Sequence, residues 1–207
     1  MTKAFARFRL GTEEDIADLQ RIDLAASRLF EPTGLIDEGP DGPTPIPEAA
    51  LRNGIAKKLL IVSLSDDTGF PNGFALMSRH SPDLYLDQIS VDPAHGRRGI
   101  GANLLGLVIA RADALKLRGV VLSTFRDLAW NGPFYARHGF VELAREDMKK
   151  WMLELETIQS ETMDVSLRCF MRRPGALDKH WFRLPDLPVG RYPETDTSTD
   201  KPMSSDT

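Results

Sequence analysis

The segment from residue 84 to residue 125 most restricts the fold. Leu84 to Val91 reads as an apolar strand that ends in a turn holding Gly96, Gly99 and Gly101. From Gly99 onward, Ile100, Leu104, Val108, Ala112 and Leu115 recur on one helical face. Gly119 ends that helix, and Val120 to Phe125 reads as another strand. A strand, a long helix and a second strand form a crossover, and a crossover joins parallel strands. The chain must therefore contain at least one parallel pair.

The elements before and after it are of a different kind. Phe5 to Leu10 reads as a short first strand, followed by Thr12 as a helix cap with Glu13, Glu14 and Asp15 at the positive helix end. A helix is predicted over 13–29 from Ile16, Leu19, Ile22 and Ala26, and a second from Pro47 to Lys57. Leu59 to Leu64, Gly73 to Ser78 and Leu84 to Val91 then form an antiparallel meander across the turns at 66–69 and 81–83. After the crossover, a short helix fits Gly132 to His138 and a strand fits Phe140 to Ala144. A helix fits Glu146 to Glu161, and a last strand fits Val165 to Met171. The class is α/β, with a mixed, mostly antiparallel sheet flanked by helices. One domain is expected over 1–184. From about Pro185 the chain is rich in Pro, Ser, Thr and Asp, which predicts a disordered tail over 185–207.

Composition excludes several functions. No apolar run approaches the roughly 20 residues of a membrane helix, and Met1 to Leu10 lacks the continuous apolar core of a secretory signal. The single Cys169 and the scattered His80, His95, His138 and His180 argue against a disulfide or a metal site. A reducing, cytoplasmic location fits, and no basic and aromatic stretch points to nucleic acid. The net charge of −4 conceals an uneven distribution. Glu31 to Glu48 carries −5 and Pro193 to Thr207 carries −3, leaving +4 on the rest. The first of these segments is a long loop rich in proline and glycine.

The turn at 91–102 sits where a strand meets a helix. Such a place offers unpaired backbone N–H groups and the positive end of a helix dipole, a ready phosphate site. Its glycines let backbone approach a diphosphate, and Arg97 and Arg98 add charge. The nucleotide P-loop needs Lys and then Ser or Thr after its second glycine, whereas Ala102 and Asn103 follow Gly101 here. The dinucleotide fingerprint needs Gly or Ala where Leu104 stands.

A third pattern fits. Val91, Pro93, Gly99, Ile100 and Gly101 resemble the acyl-CoA turn of the GCN5-related N-acetyltransferase (GNAT) superfamily, Q/R-x-x-G-x-G/A after a strand ending in Val-x-Pro. Gly96 stands at the Gln or Arg position, a departure from that pattern, with Arg97 one residue later. Trp130 to Phe140, with Tyr135 ahead of the Gly139-Phe140 pair, resembles the second hallmark of the family. The resemblance covers about residues 5 to 172.

It implies a GNAT-like sheet whose one parallel pair surrounds acetyl-CoA, and direct attack of a primary amine on the acetyl carbonyl. It implies that the acyl donor is held by the fourth strand at Ile89, Ser90 and Val91, and by the turn at Gly96, Arg97, Arg98, Gly99, Ile100, Gly101 and Ala102. Asn131 would touch the pantetheine arm, and Tyr135 would protonate or contact the leaving sulfur. Asp87, beside Gln88 on the fourth strand, and Asp127, after the fifth, are the candidates for the base. His95 and His138 are not expected to take part. Trp151, Met148, Met152 and Cys169 read as core, and Arg172 and Arg173 as solvated strand-end residues.

The acceptor is expected to be a small-molecule or peptide amine. The acids Glu31, Asp37, Glu38, Asp41 and Glu48 near the acceptor side suggest a cationic one. Dimers are compatible with such a fold. The alternatives are a catalytically silent acyl-CoA sensor and, more distantly, a nucleotide-binding protein.

Overall fold

The computed structural model describes residues 7–36, 39 and 42–178. The expected tail at 185–207, residues 179–184, the start of the first predicted strand, and Asp37, Glu38 and Asp41 lie outside the described residues. In chain order the elements are β1 (Arg7–Leu10), α1 (Ile16–Ser27), α2 (Glu48–Ala56), β2 (Leu60–Leu64), β3 (Pro71–His80) and β4 (Asp83–Val91). There follow α3 (Ile100–Ala114), β5 (Gly119–Phe125), α4 (Gly132–Arg137), β6 (Val141–Glu142), α5 (Lys150–Gln159) and β7 (Arg168–Pro174). The strands form one sheet of order β1-β2-β3-β4-β5-β7-β6. Every neighbouring pair is antiparallel except β4 and β5, which the α3 crossover makes parallel.

Alternation along each strand divides the core between two faces. Ile61, Ala75, Met77, Leu84, Leu86, Val120, Leu122, Cys169 and Met171 pack under α3 with Leu104, Leu105 and Val108. Their neighbours Leu60, Val62, Phe74 and Leu76 point the other way, against Leu19 and Ile22 of α1 and Leu51 of α2. Further along that second face, Tyr85, Val121 and Phe170 pack on Met152 of α5. Trp151 stacks on His80 at 4.1 Å. The core reading of Met148, Trp151, Met152 and Cys169 agrees with this packing.

Several boundaries differ from the sequence expectation, for local reasons. Residues Glu13–Asp15 form a 3-10 turn ahead of α1. There the Asp15 carboxylate turns back to accept from the Thr12 N–H at 2.8 Å and binds Arg9 at 2.6 Å. Val165–Leu167, expected as strand, is also a 3-10 turn, capped by Asp164 accepting from the Ser166 N–H at 2.9 Å. The predicted helix over 146–161 contracts to α5, and the strand over 140–144 to β6. Arg172 is not solvated at a strand end. It is 7% exposed and binds Asp83 at 2.7 Å and Asp178 at 2.6 Å. Arg173 donates to the His138 carbonyl at 3.1 Å, so neither arginine is at the glycine turn.

Leu104 is fully buried between α3 and the sheet. Leu104→Ala is expected to lower stability by about 2–5 kcal/mol, read as a lower urea midpoint. A midpoint unchanged within error would mean that α3 does not pack as described.

Candidate active site

The parallel pair is short. β4 and β5 are registered only at Leu84 with Val120 and Tyr85 with Val121. Beyond Tyr85 they part, while β5 stays paired with β7 along its whole length. The cause lies in β4. Leu76 of β3 faces Gln88 and Met77 faces Leu86, so Asp87 is an extra residue, a β-bulge. A bulge bends and overtwists its strand, and here it bends β4 away from β5. The result is a cleft of about 900 Å³ lined by residues 85–91 of β4, 122–125 of β5, the glycine turn and α4.

The bent half of β4 has an open edge. Asp92 N–H donates to the Asn72 carbonyl at 3.0 Å, which fixes the hydrogen-bonding alternation with β3. By that alternation, the backbone groups of Ile89 and Val91 face the cleft. The side chain of Ser90 is turned away. Its hydroxyl donates to Asp23 Oδ1 at 2.9 Å, and Gln88 Nε2 donates to the same oxygen at 2.8 Å. Asp23 Oδ2 also accepts from the Ile46 N–H at 2.9 Å, so one carboxylate of α1 ties β4 to the segment before α2.

At the outer end of the cleft, Gly99 caps α3 with φ of 79° and Arg97 has φ of 59°. The first α3 bond to the cap runs from Asn103 N–H to the Gly99 carbonyl. Among the described residues, the backbone N–H groups from Arg97 to Ala102 make no hydrogen bond. A left-handed residue amid successive free amides forms an anion-binding concavity. Gly96, Arg97, Gly99, Ile100, Gly101 and Ala102 all line it, whereas Arg98 is exposed outside it. His95, expected to be merely exposed, is half-buried on the same wall, and its Nδ1 is buried without a partner. These features suit the diphosphate of an acyl-CoA.

Farther in, Tyr135 of α4 is 8% exposed and lines the cleft, wedged between Phe134 and Phe140 at ring distances of 5.1 and 5.8 Å. Its hydroxyl has no hydrogen-bond partner among the described residues, and burial raises its pKa further, keeping it protonated. Gly132 sets this helix in place, since a Cβ there would collide with the Arg126 carbonyl. Asn131 occupies the N-cap position of α4, yet its side chain makes no cap bond. Instead Nδ2 donates to Thr124 Oγ1 at 2.8 Å, holding the amide at the cleft wall.

Asp87 also lines the cleft, with Ser78 Oγ donating to its Oδ1 at 3.0 Å. That bond places the carboxyl on the α1 and α5 face of the sheet, opposite the face on which Tyr135 packs. Asp87 and Tyr135 therefore approach the gap between β4 and β5 from its two sides. The carboxyl is reachable from the cleft, but the enclosing protein pushes its pKa up to about 6, against the partial relief of the Ser78 bond. Asp127 is exposed and does not line the cleft. The structure brings Asp87, and not Asp127, to the other candidate residues. His138 is held by its Nδ1 contact with the Phe134 carbonyl at 2.8 Å.

Sequence reasoning does not single out the residues that close the cleft's inner end. These are Phe30, Ser123, Phe125, Trp130, Gln159, Met163 and Arg168. They come from five separate stretches: the β5–β7 register sets Phe125 opposite Arg168, Ser123 bonds Gln159, and Phe30 packs on Phe125 and Trp130. Of the acids in the 31–48 loop, Glu31 and Glu48 do not line the cleft, and Glu48 is paired with Arg52 at 2.6 Å. Among the described residues no cluster of His, Cys, Asp and Glu is placed to hold a metal, and no helix is long and apolar enough to cross a membrane.

Residues 58–142, which hold the whole turn and both hallmark segments, match the acetyltransferase (GNAT) domain family. Solved structures share the fold. One is N-acetylglutamate synthase from Neisseria gonorrhoeae, complexed with coenzyme A and N-acetyl-glutamate. It is 17% identical with a TM-score of 0.61, over 83% of this chain and 35% of that one. The chain thus spans about a third of that enzyme. The ribosomal-protein-S18-alanine N-acetyltransferase from Escherichia coli is 17% identical with a TM-score of 0.59, over 82% of this chain and 94% of that one. PaiA N-acetyltransferase from Thermoplasma acidophilum, in complex with coenzyme A, is 13% identical with a TM-score of 0.56, over 83% and 99%. The family match at the cleft-forming segments and the sheet that splays at β4 and β5 agree: residues 58–142 match the acetyltransferase (GNAT) domain family, and the chain has the fold of these solved acetyltransferases.

Proposed function

We propose that this protein is an acetyl-CoA-dependent N-acetyltransferase that moves an acetyl group to a primary amine by direct attack. The observation that carries this reading is the placement of Asp87 and Tyr135 on opposite sides of the β4–β5 gap, in the same cleft as the free amides of the glycine turn. The reading treats the domain as a single catalytic unit. Burial of the lone Cys169, whose thiol is pushed up to about 11, suits a reducing, cytoplasmic setting.

When bound, acetyl-CoA supplies the thioester carbonyl and a thiol leaving group. In this reading the N–H groups from Arg97 to Ala102 take the diphosphate, with Arg97 and Arg98 contributing charge. Ile89 and Val91 pair with the pantetheine arm as a neighbouring strand would, and one of their N–H groups faces the carbonyl oxygen as it gains charge. Asn131 offers its free amide oxygen to the same arm. Asp87 accepts a proton from the acceptor ammonium, directly or through one water, so that the amine attacks neutral. The N–C bond forms as the C–S bond breaks, Tyr135 donates its hydroxyl proton to the departing sulfur, and the acylated nitrogen sheds its second proton to solvent, from which Tyr135 is reprotonated and to which Asp87 releases its proton. The products are the N-acetyl amine and free CoA. A silent acyl-CoA sensor would have no use for an aspartate with a raised pKa facing a protonated tyrosine across the gap.

The acceptor side has two further features. Glu31 and Glu48 do not reach the cleft, so attraction of a cationic acceptor rests on Asp87 and on Asp23. Phe30, Phe125 and Trp130 form an aromatic wall, with Phe30 at 5.7 Å from Phe125 and 6.4 Å from Trp130.

Three measurements test the reading. Because Asp87 loses its proton as pH rises through about 6, kcat/KM is expected to climb along a limb with an apparent pKa near 6. Asp87→Asn should abolish that limb and lower kcat by roughly 10²–10⁴-fold; an unaltered profile would remove Asp87 as the base. Tyr135→Phe should reduce kcat at least about tenfold with little change in the Kd of acetyl-CoA. Equal turnover by the variant would remove Tyr135 as the acid. At Gly99, whose φ is positive, Gly99→Val is expected to weaken CoA binding by about tenfold in calorimetry. Tighter binding of ATP or NAD than of CoA by the wild type would contradict the acyl-CoA assignment.

A further inference from the structure

Arg168 stands at the inner end of the cleft with no carboxylate to balance it. It is half-buried at the start of β7 and lines the cleft. Its guanidinium lies 4.7 Å from the Phe125 ring centroid. Nη2 donates to Ser123 Oγ at 3.1 Å and Nε to Gln159 Oε1 at 3.3 Å. Both partners are neutral. Among the described residues Arg168 forms no ion pair, unlike the more deeply buried Arg172, which has two.

An enclosed cation without a counter-ion is costly, and desolvation accordingly depresses the Arg168 pKa. A purely structural arginine gains from a carboxylate within the protein. This one is instead aligned by two neutral acceptors and an aromatic face, which fix the plane of the fork. Nη1 makes no hydrogen bond among the described residues, yet it is not sealed from solvent. The free side of a planar, always-charged fork matches an oxyanion, above all a carboxylate.

The surroundings narrow the ligand. The glycine turn opens α3, which packs on the other face of the sheet from Ser123 and Gln159, so Arg168 does not belong to that site. Ser123, Phe125 and Gln159 share with Asp87 the face on which the acceptor amine would enter. Phe30 and Trp130 extend the apolar wall from Phe125.

We propose that Arg168 binds a carboxylate of the acceptor, which makes the acceptor an amino-acid-type amine with an apolar side group. This rests on the acetyl-transfer reading above and deepens it. The amine end faces Asp87 and the carboxylate end faces Arg168, so a zwitterion meets one charge of each sign. Ser123 and Gln159 act as positioning residues that hold the guanidinium plane.

The test compares matched pairs in a free-thiol release assay with acetyl-CoA: phenylalanine, leucine and β-phenylalanine against their carboxamides. The wild type should favour the carboxylate of a pair by at least about tenfold in kcat/KM, the equivalent of 1.4 kcal/mol. Arg168→Gln should bring the carboxylate down to the level of its amide, chiefly through KM, and Arg168→Lys should restore part of the preference. CoA affinity measured on the same samples reports whether the cleft is intact. Equal turnover of acids and amides by the wild type, or a preference that survives Arg168→Gln, would overturn the proposal. If no amine releases thiol, the acetyl-transfer reading fails separately. The carboxylate site is then read by calorimetry of N-acetyl-phenylalanine and its amide on the CoA-loaded protein. Binding of the acid alone, lost in Arg168→Gln, supports the site; equal or absent binding of both overturns it.

Discussion

The parting of β4 from β5 is the constraint on which the rest of this structure depends. A sheet interior normally leaves no backbone group unpaired, because a buried unmet N–H or C=O costs about 1–3 kcal/mol. Here two strands share only two registered pairs before separating, and β5 has already committed its other edge to β7. The inner half of β4 therefore presents an open edge inside the molecule. Such an edge must stay wet or be covered by something that hydrogen-bonds like a strand. The extra residue at Asp87 produces this geometry, and the same residue is the carboxylate that the bend exposes. One local irregularity thus opens the groove and sets a carboxylate on its wall.

The cleft has opposite electrostatic characters along its length. The outer end has free amides, the N-terminus of α3 and Arg97, all favourable to negative charge. The middle has Tyr135, which burial keeps protonated, and Asp87, whose carboxyl the enclosing protein pushes up to about 6, on either side of the gap. The inner end pairs an aromatic wall with the unbalanced Arg168. A net charge of −4 for the chain is compatible with this pattern, since the described acids of the 31–48 segment, Glu31 and Glu48, do not line the cleft.

The turn and the crossover were legible in the sequence because both are local. Gly99, Gly101 and the helical stripe from Ile100 to Ala112 carry their structure within a few residues of one another. Tyr135 and Asn131 were legible for a related reason, as a short motif of recognisable spacing. The bulge at Asp87 was not, since it is defined only by the register with Leu76 and Met77 on β3. Arg168 was invisible for the same reason. On its own strand it resembles any charged residue beside an apolar pair, and only Phe125, Ser123 and Gln159 give it a surface to work on. Of the acidic loop, Glu31 and Glu48 are the acids among the described residues. Its charge is evident in sequence, but Glu48 is spent on Arg52. Arg172 likewise looked solvated until the fold set Asp83 and Asp178 against it.

The central claim is that the open edge of β4 and the free amides of the glycine turn are completed by acyl-CoA. Residue-resolved amide hydrogen exchange, with and without CoA, tests this most directly. The account predicts new protection at Ile89 and Val91 and across Arg97 to Ala102, with little change at Ser90 and Asp92, whose amides already face β3. Protection confined to other surfaces, or CoA binding that leaves the amides of β4 exchanging as before, would contradict it.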